Sequence, residues 1–200
     1  AGLGPSAVRQ VEAGEHEPTM AVLARIAAAL GGELAVRYYP GSGPLIRDHL
    51  QTAMIGALTT ILDARWRPTP EVWVTEPIKA VIDLLLDDRA GATIVCEAHS
   101  ELRRVEQQVR WLGAKVEALA GHGQTRPSSL LLLRDHASTR AVAIQYADYL
   151  ATAFPARHRD AVAALTGTAP WPGNAIVWME AVRGRASILD EPPRGVTIGR

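Results

Sequence analysis

The stretch Ala80-Val81-Ile82-Asp83-Leu84-Leu85-Leu86, continued after Asp87-Asp88-Arg89-Ala90-Gly91 by Ala92-Thr93-Ile94-Val95-Cys96-Glu97-Ala98-His99, decides the fold. Both runs are almost wholly apolar, as expected of strands buried on two faces. The polar, Gly-bearing segment between them reads as a hairpin turn. Each run carries one acid, Asp83 and Glu97. An ionised carboxylate in such a strand is costly unless it meets a cation or hydrogen-bond donors. If Leu86 pairs with Ala92, Asp83 lies opposite Val95, and Asp83, Glu97 and His99 share one face. A slip of one residue would part Asp83 from the other two. Two acids and a basic residue converging at a sheet edge suit a hard divalent cation beside a phosphate.

Working outward, residues 45–64 predict a helix with Ile46, Leu50, Met54, Ala57, Leu58 and Ile61 on one stripe. Glu71–Glu76 reads as a strand. Ser100 reads as the N-cap of a helix in which Leu102, Val105, Val109, Leu112, Val116 and Leu119 recur at helical steps. Ser129–Arg134 is a fourth strand. A helix starting at Ser138 or Thr139 and running to Leu150, a helix over Ala156–Leu165 and a strand over Asn174–Glu180 follow. The order αβββαβααβ places residues 45–180 in a layered α/β (α+β) domain. Residues 181–200, with Pro192-Pro193 and little periodicity, predict a frayed tail.

The spacing of Asp83 in Val81-Ile82-Asp83 from Glu97-Ala98-His99, together with the αβββαβ order, resembles the PD-(D/E)XK restriction-endonuclease-like fold. The resemblance implies Asp83 and Glu97 as metal ligands, Mg²⁺ as the cofactor of an active site, and Gln107 as a polar residue of the following helix. It also exposes a departure. The family carries Lys where this chain has His99, and His is shorter and mostly neutral at pH 7. His99 is therefore expected to serve as a general base or ligand, or else to mark a site that has lost cleavage.

Residues 1–37 are Ala-rich and helical, and the Pro/Gly cluster Tyr38-Tyr39-Pro40-Gly41-Ser42-Gly43-Pro44 reads as a linker over 38–44. Ser6–Glu12 predicts a short helix with Ala7, Val8 and Val11 inward. Thr19 caps a second helix, with Leu23, Ile26, Ala27 and Leu30 at helical spacing before Gly31-Gly32. The stretch from Ala1 to Gly14, followed by Glu17-Pro18-Thr19 and Leu23-Ala24-Arg25-Ile26-Ala27-Ala28-Ala29-Leu30-Gly31, resembles the Xre/Cro helix-turn-helix of bacterial regulators. The resemblance implies a recognition helix near Pro5–Glu12, with Pro5, Ser6, Arg9 and Gln10 facing DNA bases. It also implies a homodimer, and a first helix that would lie before Ala1, so the chain is expected to be a fragment of a longer regulator. Arg9, Arg25 and Arg37 stand against Glu12, Glu15, Glu17 and Glu33, too little positive charge for strong phosphate binding by this segment alone.

Composition narrows the rest. The chain has 200 residues, 21 Lys+Arg against 21 Asp+Glu, and 48% hydrophobic residues. It is not basic overall, so any nucleic-acid contact must come from local patches. One cysteine excludes a disulfide framework and a multi-thiolate zinc site. No apolar run approaches a membrane span and no secretory signal is visible, so a cytoplasmic location is the default. Cys96 and the five tryptophans read as packing residues, and Arg103, Arg104 and Arg110 as a solvated helix face within reach of DNA phosphate. The leading expectation is a DNA-binding, Xre-type transcription regulator whose nuclease-like domain has lost cleavage. A Mg²⁺-dependent endonuclease using Asp83, Glu97 and His99 is the first alternative. A protein-interaction module of antitoxin type is the second.

Overall fold

The computed structural model describes residues 5–12, 18–32, 34, 49–88, 91–120, 126–167, 169–182 and 184–198. The chain divides into two compact units, Ala1–Gly43 and Pro44–Arg200. In the first, α1 spans Pro5–Glu12 and α2 spans Met20–Ala29. Pro5 opens α1, where a missing N–H costs nothing. Thr19 is extended and its hydroxyl accepts the Val22 N–H at 3.4 Å. Leu30 ends α2 by donating to the carbonyls of Ile26 and Ala27, and Gly31 follows at φ 78°, a conformation that suits glycine. No residue of α2 is buried.

The second unit runs α3 (His49–Ile61), β1 (Trp66–Val74), β2 (Ala80–Asp88), β3 (Thr93–His99), α4 (Val105–Ala120) and β4 (Ser128–Arg134). It continues with α5 (Ala137–Gln145), α6 (Ala147–Ala153), α7 (His158–Thr166), β5 (Ala175–Val182) and β6 (Arg185–Ile188). Among the described residues the six strands form one sheet in sequence order. The β3–β4 and β4–β5 pairs are parallel and the others antiparallel. The molecule is thus a mixed α/β structure.

Alternation along the strands builds two cores. Leu84, Leu86, Ile94, Cys96, Leu130 and Leu132 pack with α3 and α7. Val95, Leu131, Leu133 and Trp178 pack beneath α4, α5 and α6. The outer strand β1 carries Pro68 and Pro70, both exposed, which lack N–H groups and so blunt that edge.

Several elements depart from the sequence reading. β1 begins at Trp66 rather than near Glu71, because Trp66 anchors it: the side chain is buried and its Nε1–H donates to Ala164 O at 2.9 Å. Ser100 does not cap α4. It is itself buried, and the helix starts five residues later at Val105. The helix expected from Ser138 or Thr139 to Leu150 is broken at Tyr146 into α5 and α6. The tail expected to fray instead pairs β6 with β5 and buries Val196 and Ile198 under the α4-side core. The linker 38–44 lies outside the described residues.

His158 ties this tail to the sheet. The Trp178 N–H donates to its Nδ1 at 3.3 Å, so the neutral ring carries its proton on Nε2 and donates to Leu189 O at 2.9 Å. Burial lowers its pKa below the usual 6.5, against the backbone hydrogen bond to Leu189, which favours the charged form. A base with a depressed folded pKa contributes stability that is present above 6.5 and lost as pH falls below it. The destabilisation caused by His158→Gln, about 1–3 kcal/mol for two buried hydrogen bonds, is therefore expected to be greatest above pH 6.5 and to shrink towards pH 5. Urea unfolding of both proteins across this range checks it.

Candidate functional site

The hairpin that carries the acids is shifted by two residues from the expected register. Leu86 pairs with Ile94, not Ala92, and Leu85 rather than Asp83 lies opposite Val95. The wider turn is held by the Asp88 carboxylate, which accepts the Ala92 N–H at 2.8 Å. A shift of two preserves the face, so Asp83, Glu97 and His99 still point to the α4 side.

The ladder between β2 and β3 ends at Leu84↔Cys96. One step further, side chains replace the backbone rungs. The Asp83 N–H donates to Glu97 Oε1 at 3.2 Å, and the Ala98 N–H donates to Asp83 Oδ2 at 3.0 Å. On the other flank of Asp83, β1 passes through Glu71 at φ 55°. Beyond that point Val72, Val74 and Ile82 face the α4-side core, whereas Trp66 and Leu84 face the α3 side. The hairpin rolls at Asp83, and the two acids sit where β2 leaves β3.

A cation reaches the acids from another element. Lys115 of α4 is buried, and its Nζ lies 2.5 Å from Glu97 Oε2. Burial and the neighbouring Asp83 push the Glu97 carboxyl up to about 7, against the opposing pull of Lys115. Position 108 supplies a second contact from the same helix. Gln108 Nε2 lies 3.2 Å from His99 Nδ1 and 3.4 Å from Glu101 O, while its Oε1 accepts the Arg103 N–H at 3.3 Å. These three contacts fix the amide orientation. An amide nitrogen only donates, so His99 Nδ1 accepts and the ring proton sits on Nε2. Burial lowers the His99 pKa to about 4, with Asp83 opposing and Lys115 assisting. A neutral imidazole with its free nitrogen protonated is a donor. The expected general-base role does not suit this arrangement.

No match emerges from comparison with protein-family models, curated proteins or solved structures.

Cys96, beneath the acids, has its thiol pKa raised by burial and by the charges of Asp83 and Glu97, which leaves it inert. Gln107 is exposed and accepts from Arg104 Nη1 at 3.5 Å, so it does not join the cluster. Among the described residues no group of three or more His, Cys, Asp and Glu side chains is placed to hold a metal. Two carboxylates still fit Mg²⁺, which prefers oxygen and commonly takes only one or two protein carboxylates, completing its shell with water and phosphate. The raised Glu97 pKa reflects burial first and the neighbouring Asp83 second, which Lys115 only partly offsets. In the first unit, Arg9 and Gln10 are exposed on α1, and Pro5 and Ser6 form its first turn. Among the described residues no helix is long and apolar enough to cross a membrane.

Lys115 and Gln108 escaped the sequence reading. A signal was present: Lys115 stands three residues after Leu112 and four before Leu119, a charge on the apolar stripe of α4. Gln108 stands three after Val105 and four before Leu112.

Proposed function

We propose that this chain is a DNA-directed protein in which residues 49–198 form a Mg²⁺-dependent phosphodiesterase centre built from Asp83, Glu97 and Lys115. The helix pair at 5–29 would serve as its DNA-positioning module. The Lys115–Glu97 contact carries this reading. It supplies a fixed cation beside two hard oxygen donors, which the sequence with His99 lacks at that position.

Mg²⁺ held by Asp83 and Glu97 would polarise a phosphoryl oxygen and acidify a bound water. Lys115 favours the ionised form of Glu97 against burial and Asp83, and adds positive charge where a phosphate would gain negative charge. His99, oriented by Gln108, offers its Nε2–H as a hydrogen-bond donor to a phosphate oxygen. Arg9 and Gln10 on α1 are of the types that read guanine and adenine edges.

The test is nicking of supercoiled plasmid with Mg²⁺ or Mn²⁺. Wild type is expected to cleave, and Asp83→Asn and Glu97→Gln to lose about a hundredfold or more. Both replacements keep an acceptor for the backbone donors, and because Glu97→Gln strands the buried Lys115, urea unfolding checks that each variant is folded under the assay conditions. Salt-dependent DNA binding without cleavage by wild type under either metal would overturn the enzyme reading and leave a regulator with an inactive domain.

A further inference from the structure

Four residues of α4 and its entry follow one line along the helix. Arg104, Gln108, Trp111 and Lys115 are spaced by four, three and four residues, so each lies about 5–6 Å from the next. Two of them are fixed to the site: Gln108 to His99 at 3.2 Å and Lys115 to Glu97 at 2.5 Å. Trp111 stands between these two on the same line of the helix surface, about one turn from each. Yet it is 48% exposed, whereas Trp66 and Trp178 are buried. An indole left half in water beside a buried ion pair is not explained by core packing.

Charge around it points to the occupant. Arg104 is exposed on the turn entering α4, and Arg110 is exposed next to Trp111. Among the described residues neither forms an ion pair with an acidic side chain, unlike Arg103 with Glu101 and Arg126 with Glu117. A flat apolar ring flanked by uncompensated guanidinium groups is what a nucleic-acid strand with unstacked bases binds: arginines take phosphates and the ring takes a base face. A duplex keeps its bases stacked inside and offers no face to Trp111.

We propose that Trp111 stacks a base of a single-stranded nucleic acid whose backbone runs past Lys115 and Glu97, with Arg104 and Arg110 on neighbouring phosphates. The assignment rests on the reading that the Asp83–Glu97–Lys115 centre acts on phosphodiesters. It deepens that reading by naming single strands, or bases drawn out of a duplex, as the substrate form.

The experiment measures binding of the full chain to fluorescein-labelled oligo(dT) and to a duplex of equal length, with EDTA present so that no cleavage occurs. Trp111→Ala is expected to weaken single-strand binding about tenfold or more and to leave duplex binding unchanged. Trp111→Phe keeps a ring and retains affinity, but loses the quenching of intrinsic fluorescence that oligo(dT) produces in wild type. Equal loss on both forms, no loss on either, or quenching that persists in Trp111→Phe overturns the stacking assignment. If wild type cleaves plasmid while Trp111→Ala binds single strands as wild type does, only this assignment falls. If wild type neither binds nor cleaves, the phosphodiester reading falls with it.

Discussion

Lys115→Met is expected to destabilise the protein by about 3–5 kcal/mol at pH 8, the cost of stranding one member of a buried ion pair. Both partners are buried, and Glu97 Oε2 has its short contact with Lys115 Nζ. The loss should depend on pH in a defined direction. Glu97 titrates at about 7 in the folded chain, above its ordinary 4.5. An acid whose folded pKa is raised binds its proton more readily folded than unfolded, so the stability it contributes is present below 4.5 and lost as pH rises through 7. At pH 8 the carboxylate is charged and needs Lys115; near pH 5.5 it is protonated and needs it less. The penalty should therefore shrink at the lower pH. Lys115→Met combined with Glu97→Gln should recover much of the loss at pH 8, because no charge is stranded. Urea unfolding at both pH values decides this. A penalty independent of pH, or two substitutions that simply add, would show that the pair is not coupled as its geometry requires.

The second large effect is expected far from the site. Val196→Ala with Ile198→Ala should remove about 2–8 kcal/mol, taking a range of about 1–4 kcal/mol for each buried truncation. Whole-domain stabilities are commonly about 5–15 kcal/mol. The double variant should thus unfold at markedly lower urea, with the midpoint read by tryptophan fluorescence. Both side chains are buried in the α4-side core with Leu131, Leu133 and Trp178. A change below about 0.5 kcal/mol, the usual effect of a surface substitution, would mean that this segment is not held in the core.

These cases show which parts of the molecule were legible in its sequence. The central strands were, because Ile94–Ala98 and Leu130–Leu133 are apolar enough that no solvated element accommodates them. The shared face of Asp83 and Glu97 was, because side chains alternate along a strand and a shift of two keeps the face. The exact register was not. Turn width depended on the Asp88 side chain accepting the Ala92 N–H, a tertiary detail that periodicity does not encode. Lys115 was missed for a different reason. A lysine on an amphipathic helix ordinarily reaches water, and only the fold reveals that the water is replaced by Glu97. The terminal segment hid itself through composition. Pro192-Pro193 reads as coil, and it is coil, but Val196 and Ile198 two residues apart suffice to seat it.

The two carboxylates that stand in for missing rungs between β2 and β3 carry a constraint on how this centre can evolve. The amides of Asp83 and Ala98 donate to side-chain oxygens at 97 and 83. A lineage that abandoned its chemistry would still need acceptors at both positions. Drift to Asn at 83 is open to it, and drift to Gln at 97 if Lys115 loses its charge as well, whereas drift to Ala or Val strands a buried donor and loosens the hairpin. The acceptors this hairpin uses are thus the same carboxylates that the proposed phosphodiesterase centre would use.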